Sequence, residues 1–330
     1  MEERTDPHPG RRSGGGRGGR RRTRTFRRTR AVVLATCATV VAVAVGVGIH
    51  SAAQDRSTPV SQTGSQTGSQ VPLTAPAAAA RAAPAPAGAK PAAAGGVMDA
   101  ALDAQINSII DANSEYQIGV ALVDLSDGAD AATSGHDYGV QAAFMAASTA
   151  KVLAAEAYYH LVETGAASLD DPMGDYTAEF QLQEMIQQSD NDSWSLIMNT
   201  VGHAELTDYA ASIGVDYDAE SNTLTPAKMA RILAGLYSGT LLEPGNRAQL
   251  LGYMQGTNYE SLIPAAVPAG VTVFHKYGLL GGELHDAGIL AKNGKAYALV
   301  IYTKGDGLGS VPQRTEVIQQ LAATVADALF

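Results

Sequence analysis

One cysteine in 330 residues, Cys37, leaves this chain without a disulfide framework. It interrupts an apolar run, so everything beyond residue 50 has neither a covalent staple nor a thiol nucleophile. Stability there has to come from a core. Histidines and cysteines at metal-ligand spacing are also lacking, so the sequence makes no case for a metal centre. Positive charge is scarce outside the N-terminus. Residues 51–330 hold twelve basic side chains against thirty acids, a balance that does not suit nucleic acid.

The arginines are concentrated elsewhere. Residues 1–30 contain eleven of them with three acids, and residues 31–49 follow without a single charge. Nineteen residues at 1.5 Å each just cross a bilayer core. Arginines on the N-terminal side predict a cytoplasmic tail (1–30), a transmembrane signal anchor (31–50) and export of everything after it. Small residues near Ala53 offer a cleavage site that would make the product secreted. Residues 51–96 read as a linker, flexible in the Ser-Gln-Thr-Gly repeat of 61–70 and stiffer in the Pro/Ala stretch of 72–91.

Folded protein is expected over 97–330, one domain or two closely packed subdomains. Leu102, Ile106, Ile109 and Ile110 give an amphipathic first helix. Gln117–Leu125 reads as a strand that ends at Ser126-Asp127-Gly128. Leu153, Ala157 and Leu161 mark one stripe of a helix that stops at Gly165. Helices are predicted at 193–201, 204–213 and 226–237, the last with Thr225 as N-cap and Pro226 in its first turn. Strands follow at 271–276, 286–291 and 296–303, the last two joined through Asn293-Gly294. Val317, Leu321 and Val325 lie on a closing helix. This order predicts an α+β fold: an antiparallel sheet flanked by N- and C-terminal helices, with an all-α subdomain.

Three short elements carry chemistry. Ser148-Thr149-Ala150-Lys151 opens the helix, and residues three apart share a face, so Lys151 is expected to reach the Ser148 hydroxyl and remove its proton. The helix start also aims backbone N–H groups at a developing oxyanion. Ser189-Asp190-Asn191 supplies a hydroxyl for proton relay and an amide for a substrate carbonyl. Lys276-Tyr277-Gly278 adds a second cation and a glycine that admits close approach. Each alone has a plainer reading: an exposed helix pair, a helix cap, an edge-strand lysine before a turn.

Their order and context resemble the class A β-lactamase and penicillin-binding serine hydrolase superfamily, whose signature is Ser-x-x-Lys, Ser-Asp-Asn and Lys-Thr/Ser-Gly. The resemblance runs over roughly residues 98–330. It implies a β-lactamase/transpeptidase-like fold, Ser148 as acylated nucleophile, Lys151 as its base, Ser189 as proton donor to the leaving nitrogen, and Asn191 on the substrate amide. It further implies that Lys276 binds a carboxylate, that the N–H groups of Ser148 and Leu279 form the oxyanion hole, and that no cofactor takes part. The implied substrates are β-lactams or peptidoglycan peptides.

The sequence departs from that pattern at three points. No Glu-x-x-x-Asn loop precedes Thr225, and the nearest acid, Glu220, is expected to be a surface residue, so deacylation is expected to be slow. Tyr277 replaces a small hydroxyl residue. His285 stands near where many class A enzymes carry a substrate-anchoring arginine. A peptidoglycan DD-peptidase and a penicillin sensor without turnover remain alternatives to a β-lactamase.

Overall fold

The computed structural model describes residues 100–126 and 135–330. The tail, apolar segment and linker assigned to 1–96, and the turn at Asp127-Gly128, lie outside the described residues. No helix among the described residues is long and apolar enough to cross a membrane.

In chain order the elements begin with α1 (Ala100–Ala112), β1 (Gln117–Asp124), β2 (Gly135–Gly139), β3 (Phe144–Met145) and α2 (Lys151–Glu163). The middle holds β4 (Pro172–Met173), β5 (Tyr176–Thr177), α3 (Ala178–Gln187), α4 (Asn191–Val201), α5 (His203–Ser212), β6 (Thr223–Leu224), α6 (Pro226–Ser238), α7 (Pro244–Tyr253) and the single turn α8 (Ile263–Ala266). Three long strands and a helix close the chain: β7 (Thr272–Leu280), β8 (Glu283–Lys292), β9 (Lys295–Lys304) and α9 (Val311–Leu329).

The main sheet has the order β2-β1-β9-β8-β7, every pair antiparallel. Successive strand side chains point to opposite faces, and here both faces are covered. Ile118, Val120 and Leu122 of β1, with Leu299 and Ile301 of β9, meet Leu102 and Ile106 of α1 and Ile318 and Leu321 of α9. The alternate residues Ala121, Val123, Ala298, Val300 and Tyr302 face the helical half with Leu153, Tyr158 and Leu233. Each such large side chain contributes about 1.5–3 kcal/mol through its burial. The sandwich of terminal helices, sheet and helical subdomain is the expected α+β arrangement.

Local signals explain the boundaries. Thr225 accepts the Lys228 N–H at 3.2 Å as the N-cap of α6, Pro226 follows, and Gly239 ends the helix at φ +77°. Asn293 (φ +53°) and Gly294 (φ +82°) make the two-residue β8–β9 turn between paired Lys292 and Lys295. The helix α2 differs from expectation. Instead of one apolar stripe, every residue from Lys151 to Tyr159 is buried, because α2 runs through the middle of the helical half.

Candidate active site

The turn before α2 is strained and held from several sides. Ala147 has φ +50°, a left-handed conformation that costs a residue bearing a Cβ on the order of 1–2 kcal/mol. The Asn222 side chain donates to the Ala147 carbonyl at 3.1 Å, while the Asn222 carbonyl accepts the Ala146 N–H at 2.7 Å. Thr149 Oγ1 donates to the Ala146 carbonyl at 2.7 Å and lies 2.6 Å from the buried Tyr302 hydroxyl. On the other side stands Gly278 of β7. A β-carbon there would come 3.1 Å from the Ala146 oxygen and 3.2 Å from the Ser148 nitrogen. Glycine is therefore the residue that lets β7 close against the turn.

Ser148 lies in the 3-10 turn Ala147–Ala150 that leads into α2, half-buried at the wall of a cleft of about 280 Å³. Lys151 and Asn191 line the same cleft, as do Leu279 and Leu280 at the end of β7. The Lys151 ammonium donates to the Ser189 carbonyl at 2.6 Å, to Asn191 Oδ1 at 2.8 Å and to the Asp190 carbonyl at 3.2 Å, with Ser189 Oγ at 3.5 Å. Its hydrogen bonds thus go to the Ser189–Asn191 triplet rather than to Ser148, with which it shares the cleft. Burial pushes the Lys151 amine down to about 8, against an opposing pull from Asp190.

The triplet is rigid. Ser189 has φ +54°, and Asp190 caps α4 by accepting the Ser193 N–H at 2.6 Å. Burial raises the Asp190 carboxyl, but the bonds from Ser193 and the charge of Lys151 outweigh it and hold the group below its ordinary value. Capping and site-building are therefore one structure. Lys276 is fully buried; burial first, and the charge of Lys151 second, push its amine well down. Asp286 pulls the other way without offsetting them, and the influence of Lys151 places the two lysines within electrostatic reach.

His285 is not where a substrate contact has to be. It is fully buried, its Nε2 side faces the Met145 carbonyl at 2.8 Å, and its Nδ1 accepts the Thr303 N–H at 3.1 Å. These partners fix the neutral tautomer with Nε2 protonated, and burial holds the ring down at about 4. Its ring stacks on Tyr302 at 4.1 Å between centroids. It steadies the chain before Ser148 instead of anchoring an anion.

The acids of the 215–224 segment also point away. The Glu220 side chain is 87% exposed and sits 3.5 Å from His203 Nδ1, outside the cleft. What this segment gives the cleft is Tyr217, Ala219 and Asn222, with Trp194 and His203 beside them. Tyr217 donates to Asn222 Oδ1 at 3.0 Å, orienting the amide that holds the strained turn. Sequence reasoning missed Asn222. Its signal was an asparagine, the residue type most tolerant of φ > 0, just before a strand.

The arrangement lines one cleft with a hydroxyl, an amine of lowered basicity and an amide, and sets a second hydroxyl 3.5 Å from that amine, parts suited to acyl transfer. Residues 101–329 match the family described as the beta-lactamase enzyme family. Among solved structures the chain is similar to PBP-A, at 25% identity and TM-score 0.63 over 69% of this chain and 96% of that one. A leucine-to-glutamate mutant of PBP-A, in an acyl-enzyme complex with penicillin G, matches at 26% identity and TM-score 0.62 over 69% and 96%. A mutant of the class A β-lactamase of the last common ancestor of Gram-negative bacteria matches at 25% and 0.62 over 69% and 98%. The chain belongs to the beta-lactamase enzyme family, and it is a serine hydrolase acting on amide bonds in the β-lactamase/transpeptidase fold.

Proposed function

We propose that this hydrolase works outside the cell, tethered through residues 31–50, and that β-lactams or acyl-D-alanyl-type amides acylate Ser148 while release of the acyl group is slow. Neutral Lys151 takes the Ser148 proton, Oγ bonds to the carbonyl carbon, and the Ser148 and Leu279 N–H groups hold the oxyanion. As the C–N bond breaks, the Ser189 hydroxyl gives its proton to the leaving nitrogen and regains one from the Lys151 ammonium 3.5 Å away, which returns Lys151 to its neutral form, while Asn191 holds the substrate amide. Lys276 sets the electrostatics behind them. Water then has to hydrolyse the serine ester.

That last step carries the proposal of slow release. No carboxylate is among the described side chains lining the cleft; at the loop that would supply one stand Tyr217, Ala219 and Asn222. A water without a general base loses a contribution of typically 10²–10⁴-fold. The PBP-A mutant that carries an introduced glutamate and forms a penicillin G acyl-enzyme shows that a structure similar to this chain accommodates such an adduct. A cleft without a water-activating acid suits a DD-peptidase as well as a weak β-lactamase.

Intact-mass analysis over time after exposure to benzylpenicillin tests both halves. The expected result is an adduct on Ser148 that persists for minutes or longer. Absence of any adduct removes the acylation step, and turnover of nitrocefin within seconds removes slow release. D-alanine release from an acyl-D-alanyl-D-alanine peptide distinguishes the peptidase from the β-lactamase. Membrane fractionation of the expressed full chain tests the tether.

A further inference from the structure

With Ser148 as the acylated nucleophile, the β7 side of the cleft bears on which substrates reach it. Lys276 is the residue expected to meet a substrate carboxylate, yet it is fully buried and does not line the cleft. Its Nζ donates to the Tyr277 carbonyl at 3.1 Å and lies 4.2 Å from the centre of the Tyr277 ring. The aromatic face and the carbonyl thus occupy an amine that burial and Lys151 hold well down, with Asp286 the acid within its electrostatic reach. The ring itself is braced. Tyr259 lies against it at 4.7 Å between centroids, and the side chains of Ser189 and Asn258 approach its hydroxyl.

The other basic groups give no substitute. Lys151 is turned into the Ser189–Asn191 triplet. His285 is buried between the Met145 carbonyl and the Thr303 N–H, with the Glu283 carboxylate 3.6 Å from its Nε2. His203 stands on the α5 wall beside Glu220. The cleft therefore presents no free cation, among its described lining residues, on the side where β7 meets Ser148.

We propose that Tyr277 is a specificity-determining cover over Lys276, so that a carboxylate next to the scissile amide contributes little to acylation and neutral amides or esters are accepted as readily. A small hydroxyl residue at 277 would uncover the amine, and a substrate carboxylate beside it would favour its charged form and restore the preference for the anion.

The test compares acylation rates with benzylpenicillin and with its methyl ester, read by intact mass on the full chain. In the wild type the two rates agree within about threefold, as expected where no charge-assisted hydrogen bond is made. Tyr277→Thr raises the acid-over-ester ratio about tenfold or more, the usual worth of a hydrogen bond to a charged group. Tyr277→Phe keeps the ring and the wild-type ratio. A wild-type preference for the acid above about tenfold overturns the cover whatever the variants do, and so does a ratio unchanged in Tyr277→Thr. A fluorophosphonate, which has no carboxylate, reports on the nucleophile alone. If it fails to label Ser148, the nucleophile reading falls and the cover with it; labelling at Ser148 with unequal penicillin rates sinks only the cover.

Discussion

Lys151 has to be neutral before it can take a proton from Ser148, and the structure sets how often that is so. With the amine at about 8 instead of 10.5, burial disfavours the ammonium by about 3 kcal/mol relative to water. The neutral fraction at pH 7 is then about 9%, against about 0.03% for an unperturbed lysine, a gain of roughly 300-fold. Between pH 6 and pH 9 it climbs from about 1% to about 90%. The expected outcome is a single-turnover acylation rate that rises nearly tenfold per pH unit below about 8 and levels off above, close to a hundredfold in all. Stopped-flow loss of β-lactam absorbance under excess enzyme, or quenched intact mass, measures it. Lys151→Arg cannot deprotonate in this range, so the variant should lose the rise along with most of the rate. A flat profile, or the same midpoint in Lys151→Arg, refutes Lys151 as the base.

Three more predictions concern the surroundings of that base. Glu220→Gln should leave both acylation and release within about twofold of wild type, a surface change of the kind that perturbs little, because its side chain lies outside the cleft; a marked loss of nitrocefin turnover would place it in the reaction after all. Gly278→Ala pushes a methyl to 3.1 Å from the Ala146 oxygen, so acylation should slow by about tenfold or more with the circular dichroism spectrum unchanged. His275 is buried between Asp286 (2.8 Å) and Glu260 (3.1 Å); burial lowers its basicity, but those carboxylates outweigh it and raise the ring to about 9. The raised value gives a stabilisation fully present below about pH 6.5 and lost as pH rises through about 9, at most about 3 kcal/mol. The difference in urea stability between wild type and His275→Gln, taken at pH 6 and pH 9.5, should shrink accordingly; a constant difference contradicts it.

The sheet was legible because period-2 patterns and turn residues act locally. Asn293-Gly294 marks a hairpin whatever surrounds it, and Thr225-Pro226 marks a helix start by its own chemistry. The helix α2 was legible as a helix, but its full burial was not, since that depends on which elements pack around it. Ser148, Lys151 and Gly278 stood out because helix spacing and a strand glycine are short-range signals. Asn222 and the fate of His285 did not. One acts 75 residues away, on the Ala147 carbonyl, and the other 140 residues away, on the Met145 carbonyl. Nothing in the local sequence distinguishes a histidine that meets substrate from one that satisfies a backbone carbonyl.

These long-range contacts bear on why the site is placed where it is. A strained residue persists only when its surroundings over-determine it, and Ala147 is fixed by a loop amide, by the glycine of β7 and by the histidine of β8 through its neighbour Met145. The strained turn ends the extended chain and leaves Ser148 at the wall of the cleft, where α2 begins. The same logic explains the second left-handed residue, Ser189, which sits where its carbonyl, and those that follow, can receive Lys151. Two unfavourable backbone conformations thus border the site, Ala147 just before Ser148 and Ser189 at the carbonyl that receives Lys151. Each is tolerated because the elements around it are fixed by the core that one face of the sheet shares with the helical half.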